Sequence, residues 1–192
     1  MIAKFVNEDI HNIFKPKSED DIIRGLKHLS KDELNKQLLN VSDKGLTNIV
    51  KWIIDAGADV NTKDRYGWNP LRTASAKGYK DIVKLLLNAD ADINEQNKYG
   101  YTPLMMASLN GQKDIVKLLL DNGADVNIKD YERRTALMRA SRNGHKDIVK
   151  MLLDSGADVD IESNDEGTAL IFASSHGHKD IVELLKKYGA KR

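Results

Sequence analysis

The Ala-Asp-Val-Asn run at residues 58–61 returns as Ala-Asp-Ile-Asn at 91–94, unchanged at 124–127, and as Ala-Asp-Val-Asp at 157–160. Each step is 33 residues, and one further step lands on Ala190. Lys-Asp-Ile-Val keeps the same period from Lys80 to Lys113, Lys146 and Lys179. A third register runs through Asn69-Pro70-Leu71, Thr102-Pro103-Leu104, Thr135-Ala136-Leu137 and Thr168-Ala169-Leu170. Three markers on one period impose a stack of equal units, each of which buries its apolar face only against its neighbours.

The markers also give the shape of a unit. Thr102 before Pro103 starts a helix, because the hydroxyl caps a free backbone N–H and proline at the first helical position loses no hydrogen bond. Gly78, Gly111, Gly144 and Gly177 end that helix, glycine being suited to the left-handed exit. A second helix such as Asp81–Leu87 follows at once, with its acid at the positive end of the helix dipole. It is apolar around most of its circumference, so it belongs between neighbours. Gly57, Gly123, Gly156 and Gly189 close it, and turn residues such as Asp64-Arg65-Tyr66-Gly67 then project as a finger. Asp90 stands where those closing glycines stand, and Arg133 and Glu166 replace the finger glycines. The expectation is that Asp90 adopts the glycine conformation. Asp90→Gly should then stabilise the chain.

The pattern Asp-x-x-Gly-x-Thr-Pro-Leu, Ala-Ser, Gly, Ile-Val-x-Leu-Leu, Gly-Ala-Asp-Val-Asn resembles the ankyrin repeat family. The resemblance covers residues 28–192 as five units: 28–60, 61–93, 94–126, 127–159 and 160–192. It implies an all-α solenoid of stacked antiparallel helix pairs with β-turn fingers, whose first helices line the concave side. The histidine usual after Thr-Pro-Leu is replaced by Arg72, Met105, Met138 and Ile171. Residues 1–27 precede the repeats and read as an N-terminal capping extension. Ile2, Phe5, Val6, Ile10, Ile13 and Phe14 form one apolar stripe there, and Ile22, Ile23 and Leu26 another after Pro16. Ser30-Lys31-Asp32-Glu33 opens the first unit as a capping box.

Lys+Arg 30 against Asp+Glu 29 leaves a net charge of +1, which gives no general attraction to nucleic acid or anionic membrane. The chain has no cysteine, which removes thiolate metal sites and fits a reducing setting, cytoplasmic or nuclear. Ser75, Ser108, Ser141 and Ser174 recur in one phase and read as packing residues, since a nucleophile would be unique. No phosphate-binding glycine loop is present. No cofactor, metal or catalytic residue is expected, and the unbound chain is expected to be monomeric.

The expected function is protein binding, as an adaptor, competitor or inhibitor, because binding positions in a solenoid are those that vary between units. On the fingers these are Arg65, Tyr66, Trp68, Lys98, Tyr99, Tyr101, Tyr131 and Arg134. On the first helices they are the i,i+4 pairs Thr73 and Lys77, Met106 and Asn110, Arg139 and Asn143, Phe172 and His176. Tyr, Trp and Arg dominate interface hot spots. Arg133, Arg134, Arg139 and Arg142 gather in the fourth unit and suggest an acidic segment on the partner. The alternative is a metal- or ligand-dependent sensor or catalyst built on His176 and His178.

Overall fold

The computed structural model describes residues 19–191. Among them are eleven helices and no strand. The helix α1 (Glu19–Leu26) precedes five pairs. The first members are α2 (Lys31–Lys44), α4 (Pro70–Lys77), α6 (Pro103–Leu109), α8 (Ala136–Arg142) and α10 (Ala169–Ser175). Their second members are α3 (Thr47–Asp55), α5 (Lys80–Asn88), α7 (Lys113–Asp121), α9 (Lys146–Asp154) and α11 (Lys179–Lys187). First helices pack on one another more closely than second helices do, so the stack curves with the first helices inside. In α1, Ile22 and Leu26 are buried against the first unit, where α1 packs on α3. The stripe from Ile2 to Phe14 lies outside the described residues.

Helix starts follow from the side chains before them. Thr102, Thr135 and Thr168 accept from the backbone N–H three residues on, and Asn69 accepts from Arg72 N. At α2 the capping box closes both ways: Ser30 Oγ accepts from Glu33 N, and Glu33 Oε2 accepts from Ser30 N at 2.9 Å. That exchange holds the Glu33 carboxyl below the usual carboxylate range, chiefly through the Ser30 hydroxyl.

Each recurring marker also ties neighbouring units together. Asn61, Asn94 and Asn127 accept with Oδ1 from the backbone N–H of Asp92, Asp125 and Asp158, at 2.8, 2.9 and 2.9 Å. Asn35 does the same for Asp59. Lys80, Lys113 and Lys146 pair with Asp114, Asp147 and Asp180 of the following unit. Being exposed, these pairs add little stability. Leu71, Leu104 and Leu137 and the alanines after them are buried in the core. Ser75, Ser108 and Ser141 are fully buried, whereas Ser174 is exposed because no described unit follows it.

Asp90, Arg133 and Glu166 are left-handed, with φ of 61°, 60° and 59°. A Cβ added at Gly57, Gly123 or Gly156, the positions equivalent to Asp90, would meet nothing within 4 Å. The penalty at Asp90 is therefore one of backbone strain, and its side chain makes no hydrogen bond among the described residues. Asp90→Gly is expected to raise stability by about 0.5–1 kcal/mol, less the part offset by glycine's freedom in the unfolded chain. A urea titration at equal slope checks this, and a lower midpoint would contradict it.

Candidate functional site

Each finger is shaped by one polar side chain at its base. Asp64 Oδ1 accepts from Tyr66 N and Trp68 N, at 2.8 and 2.9 Å. Asn97 does this for Tyr99 and Tyr101, and Asp130 for Glu132 and Arg134. In the last finger Ser163 Oγ accepts from Gly167 N. Successive fingers are joined through the backbone, where Lys98, Tyr131 and Asn164 donate to the carbonyls of Tyr66, Tyr99 and Glu132. The tips form a fixed row as a result.

Three rings project from that row. Tyr66 is 44% exposed, Tyr99 53% and Tyr131 68%. Arg65 is exposed and its guanidinium lies 4.6 Å from the Tyr66 ring centre. Lys98 is exposed beside Tyr99. Trp68 and Tyr101 are half-buried. Trp68 lies under the guanidinium of Arg72, while Tyr101 sits 6.2 Å from Tyr99 and beneath Arg139.

The first-helix stripe divides. Lys77 is exposed but paired with Asp43 at 2.7 Å, and Thr73 is half-buried. Asn110 and Asn143 are exposed, each donating back to the carbonyl four residues earlier. Phe172 is half-buried, and His176 is exposed with Nδ1 2.9 Å from the Phe172 carbonyl. Met106 and Arg139 are buried, at 8% and 9% exposure, so neither presents a surface to a partner. The cause at Arg139 is Asp130, a fully buried carboxylate that draws the guanidinium inward as an ion pair.

The four arginines of the fourth unit do not form a free cluster. Arg139 is spent on Asp130, and Arg134 is held between Glu132 and Asp165 while lying over Phe172. Arg133 donates to the Glu162 carbonyl. Arg142 is exposed without an ion pair among the described residues. Reversing the charge at positions 134 and 139 would therefore break packed contacts before it could affect steering.

Two residues outside the expected set organise this face. Arg72 is fully buried and donates to the carbonyls of Gly67, Glu95 and Tyr101, at 2.6, 2.6 and 2.9 Å. Burial lowers its pKa to about 10, so it remains charged at neutral pH. Its neighbour Gln96 donates to the carbonyls of Gly100 and Lys129 one finger on. Asp130 is the second. Its signal lay in the sequence, because Asn97 and Met106 one unit earlier change together to Asp130 and Arg139.

His145 and His178 reach back to the carbonyls of Leu109 and Arg142, at 3.2 and 3.0 Å, as Gln112 reaches Ala76. That phase serves the junction between units. The His176 and His178 rings stack at 6.4 Å. Among the described residues, no group of three histidines or acids is placed to hold a metal ion. No helix there is long and apolar enough to cross a membrane.

A family model described as ankyrin repeats (3 copies) matches residues 38–130 and 129–191. No curated protein matches the chain. The family match spans most of the sequence and coincides with the observed helix pairs, fingers and inter-unit ladders, so the chain belongs to the ankyrin repeat family.

Proposed function

We propose that this chain is a recognition module which binds a partner protein through its finger row and the exposed part of its first-helix face. Ankyrin repeats are generally protein–protein interaction modules. The observation that carries the reading further is the projection of Tyr66, Tyr99 and Tyr131 from three consecutive fingers. Tyrosine offers a large amphipathic contact at low entropic cost. The hydrogen bonds at each finger base hold the rings in place before any encounter, which lowers the ordering cost of binding. Lys98, Asn110, Arg142 and Asn143 supply a polar rim. The module works without chemistry of its own, as an adaptor, competitor or inhibitor, in a cytoplasmic or nuclear setting and as a monomer until bound. A sensor or catalyst on His176 and His178 finds less support, since a ring nitrogen of each histidine lies at a backbone carbonyl.

Tyr99→Ala combined with Tyr131→Ala should weaken capture of a partner from native lysate at least tenfold, about 1.4 kcal/mol. Helical circular dichroism should be unchanged. Undiminished capture by the double variant would reduce the rings to spacers and overturn the reading.

A further inference from the structure

Among the described residues the finger row has an open end. Only residues 27–30 separate α1 from α2, so the first unit contributes no finger ahead of its first helix. In the three later fingers Lys98, Tyr131 and Asn164, all in one phase of the repeat, donate their backbone N–H to the preceding finger. Arg65 holds that position in the first finger, and its N–H finds no acceptor among the described residues. Among the described residues nothing pairs with that side of the finger, and an open groove of ≈ 640 Å³ lies beside it. Lys36 and Leu39 of α2, Lys77 of α4, and Tyr66 and Trp68 of the finger are among the residues that line it.

The groove has a chemical bias. Its two carboxylates are engaged, Asp43 by Lys77 and Asp64 by the finger N–H groups. Lys36 and Arg65 form no ion pair among the described residues. Arg72, buried 5.9 Å from the Trp68 ring, is offset by Glu95 and Asp64 and adds no free charge to the groove. Lys36 and Arg65 thus stand exposed and, among the described residues, without an ion pair beside an apolar floor of Leu39 and Trp68. An unpaired strand-like edge beside such a floor suits the addition of an extended peptide, with backbone bonds giving affinity and side-chain pockets giving selectivity.

We infer that this vacant finger slot takes an extended segment of a partner protein carrying an acidic side chain next to an apolar one. A carbonyl of that segment accepts from Arg65 N–H. The apolar side chain rests on Trp68 and Leu39, and the carboxylate meets Lys36 and the Arg65 guanidinium. This deepens the interaction reading and rests on it.

The probe is a random peptide library displayed on phage and selected against the full chain. Enriched peptides are then synthesised and titrated by fluorescence anisotropy. They should combine an acid with an adjacent apolar residue and lose at least tenfold in affinity on Lys36→Glu, a change at an exposed site. They should lose as much on Trp68→Ala and be unaffected by Lys117→Ala, on an exposed part of a second helix. Hydrogen exchange should show the Arg65 amide exchanging freely in the unbound chain and protected once peptide is added. Failure to enrich any peptide, or peptides indifferent to Lys36→Glu, overturns the proposal. An Arg65 amide already protected in the free chain also overturns it, since the slot would then be filled by the chain itself or by a second copy. If lysate capture still depends on Tyr99 and Tyr131 when the peptide experiment fails, only the slot is refuted.

Discussion

Asp130→Asn should destabilise the protein by about 3 kcal/mol, and adding Arg139→Met should recover most of that loss. Asparagine keeps the Oδ1 that accepts from Glu132 and Arg134 N–H, so the finger base survives. What disappears is the counter-charge to a buried guanidinium, and an uncompensated buried charge costs about 3–5 kcal/mol. Arg139→Met alone should cost about 2–3 kcal/mol for the converse reason. The double variant reproduces Asn97 and Met106, which occupy these two phases one unit earlier in the same fold. It should therefore lie within about 1 kcal/mol of the wild type, which corresponds to a coupling of at least about 4 kcal/mol between the sites. Urea titrations of the four proteins measure this. Losses that simply add would show that the pair is not energetically linked.

Arg72→Ala should cost about 3 kcal/mol, and Arg72→Met about 1–2 kcal/mol. Alanine leaves a cavity in the core as well as three carbonyls without their donor, each unsatisfied buried group costing about 1–3 kcal/mol. Relief of the guanidinium's own desolvation offsets part of this. Methionine fills the cavity, as Met105 and Met138 do in the same phase, but restores none of the bonds. The loss should be concentrated at the junction of the first two fingers, because Gly67 lies in one finger, Tyr101 in the next, and Glu95 leads into it. Faster amide exchange there, with little change in the last two units, is the expected pattern. A rise in stability on Arg72→Met would mean that burial of the charge outweighs its three hydrogen bonds.

The helix pairs were legible because every device that makes them is local and recurs. Thr102-Pro103, the glycine exits and the Ser30 box act within four residues, and a 33-residue period repeats most of them. The left-handed conformation of Asp90 followed from phase alone, and Arg133 and Glu166 at the finger-glycine phase share it. Charge was harder to place. Arg134 and Arg139 stood in variable positions and looked available, yet Arg139 meets a carboxylate of the finger folded over its helix and Arg134 meets one on the next finger. Arg72 looked like a simple departure from the pattern, because its three acceptors are backbone carbonyls that no composition or spacing reveals. Met106 varied between units without being exposed. Variation between repeats marks places where units differ, and some of those differences are repacked cores.

The most direct test of the binding face is photo-crosslinking in native lysate with benzoylphenylalanine placed at one position per variant. Substitution at Tyr99 on the finger row should yield a discrete crosslinked partner. Substitution at Lys117, exposed on a second helix, should not. A partner crosslinked from Lys117 and absent from Tyr99 would place recognition on the opposite side of the solenoid and contradict the account.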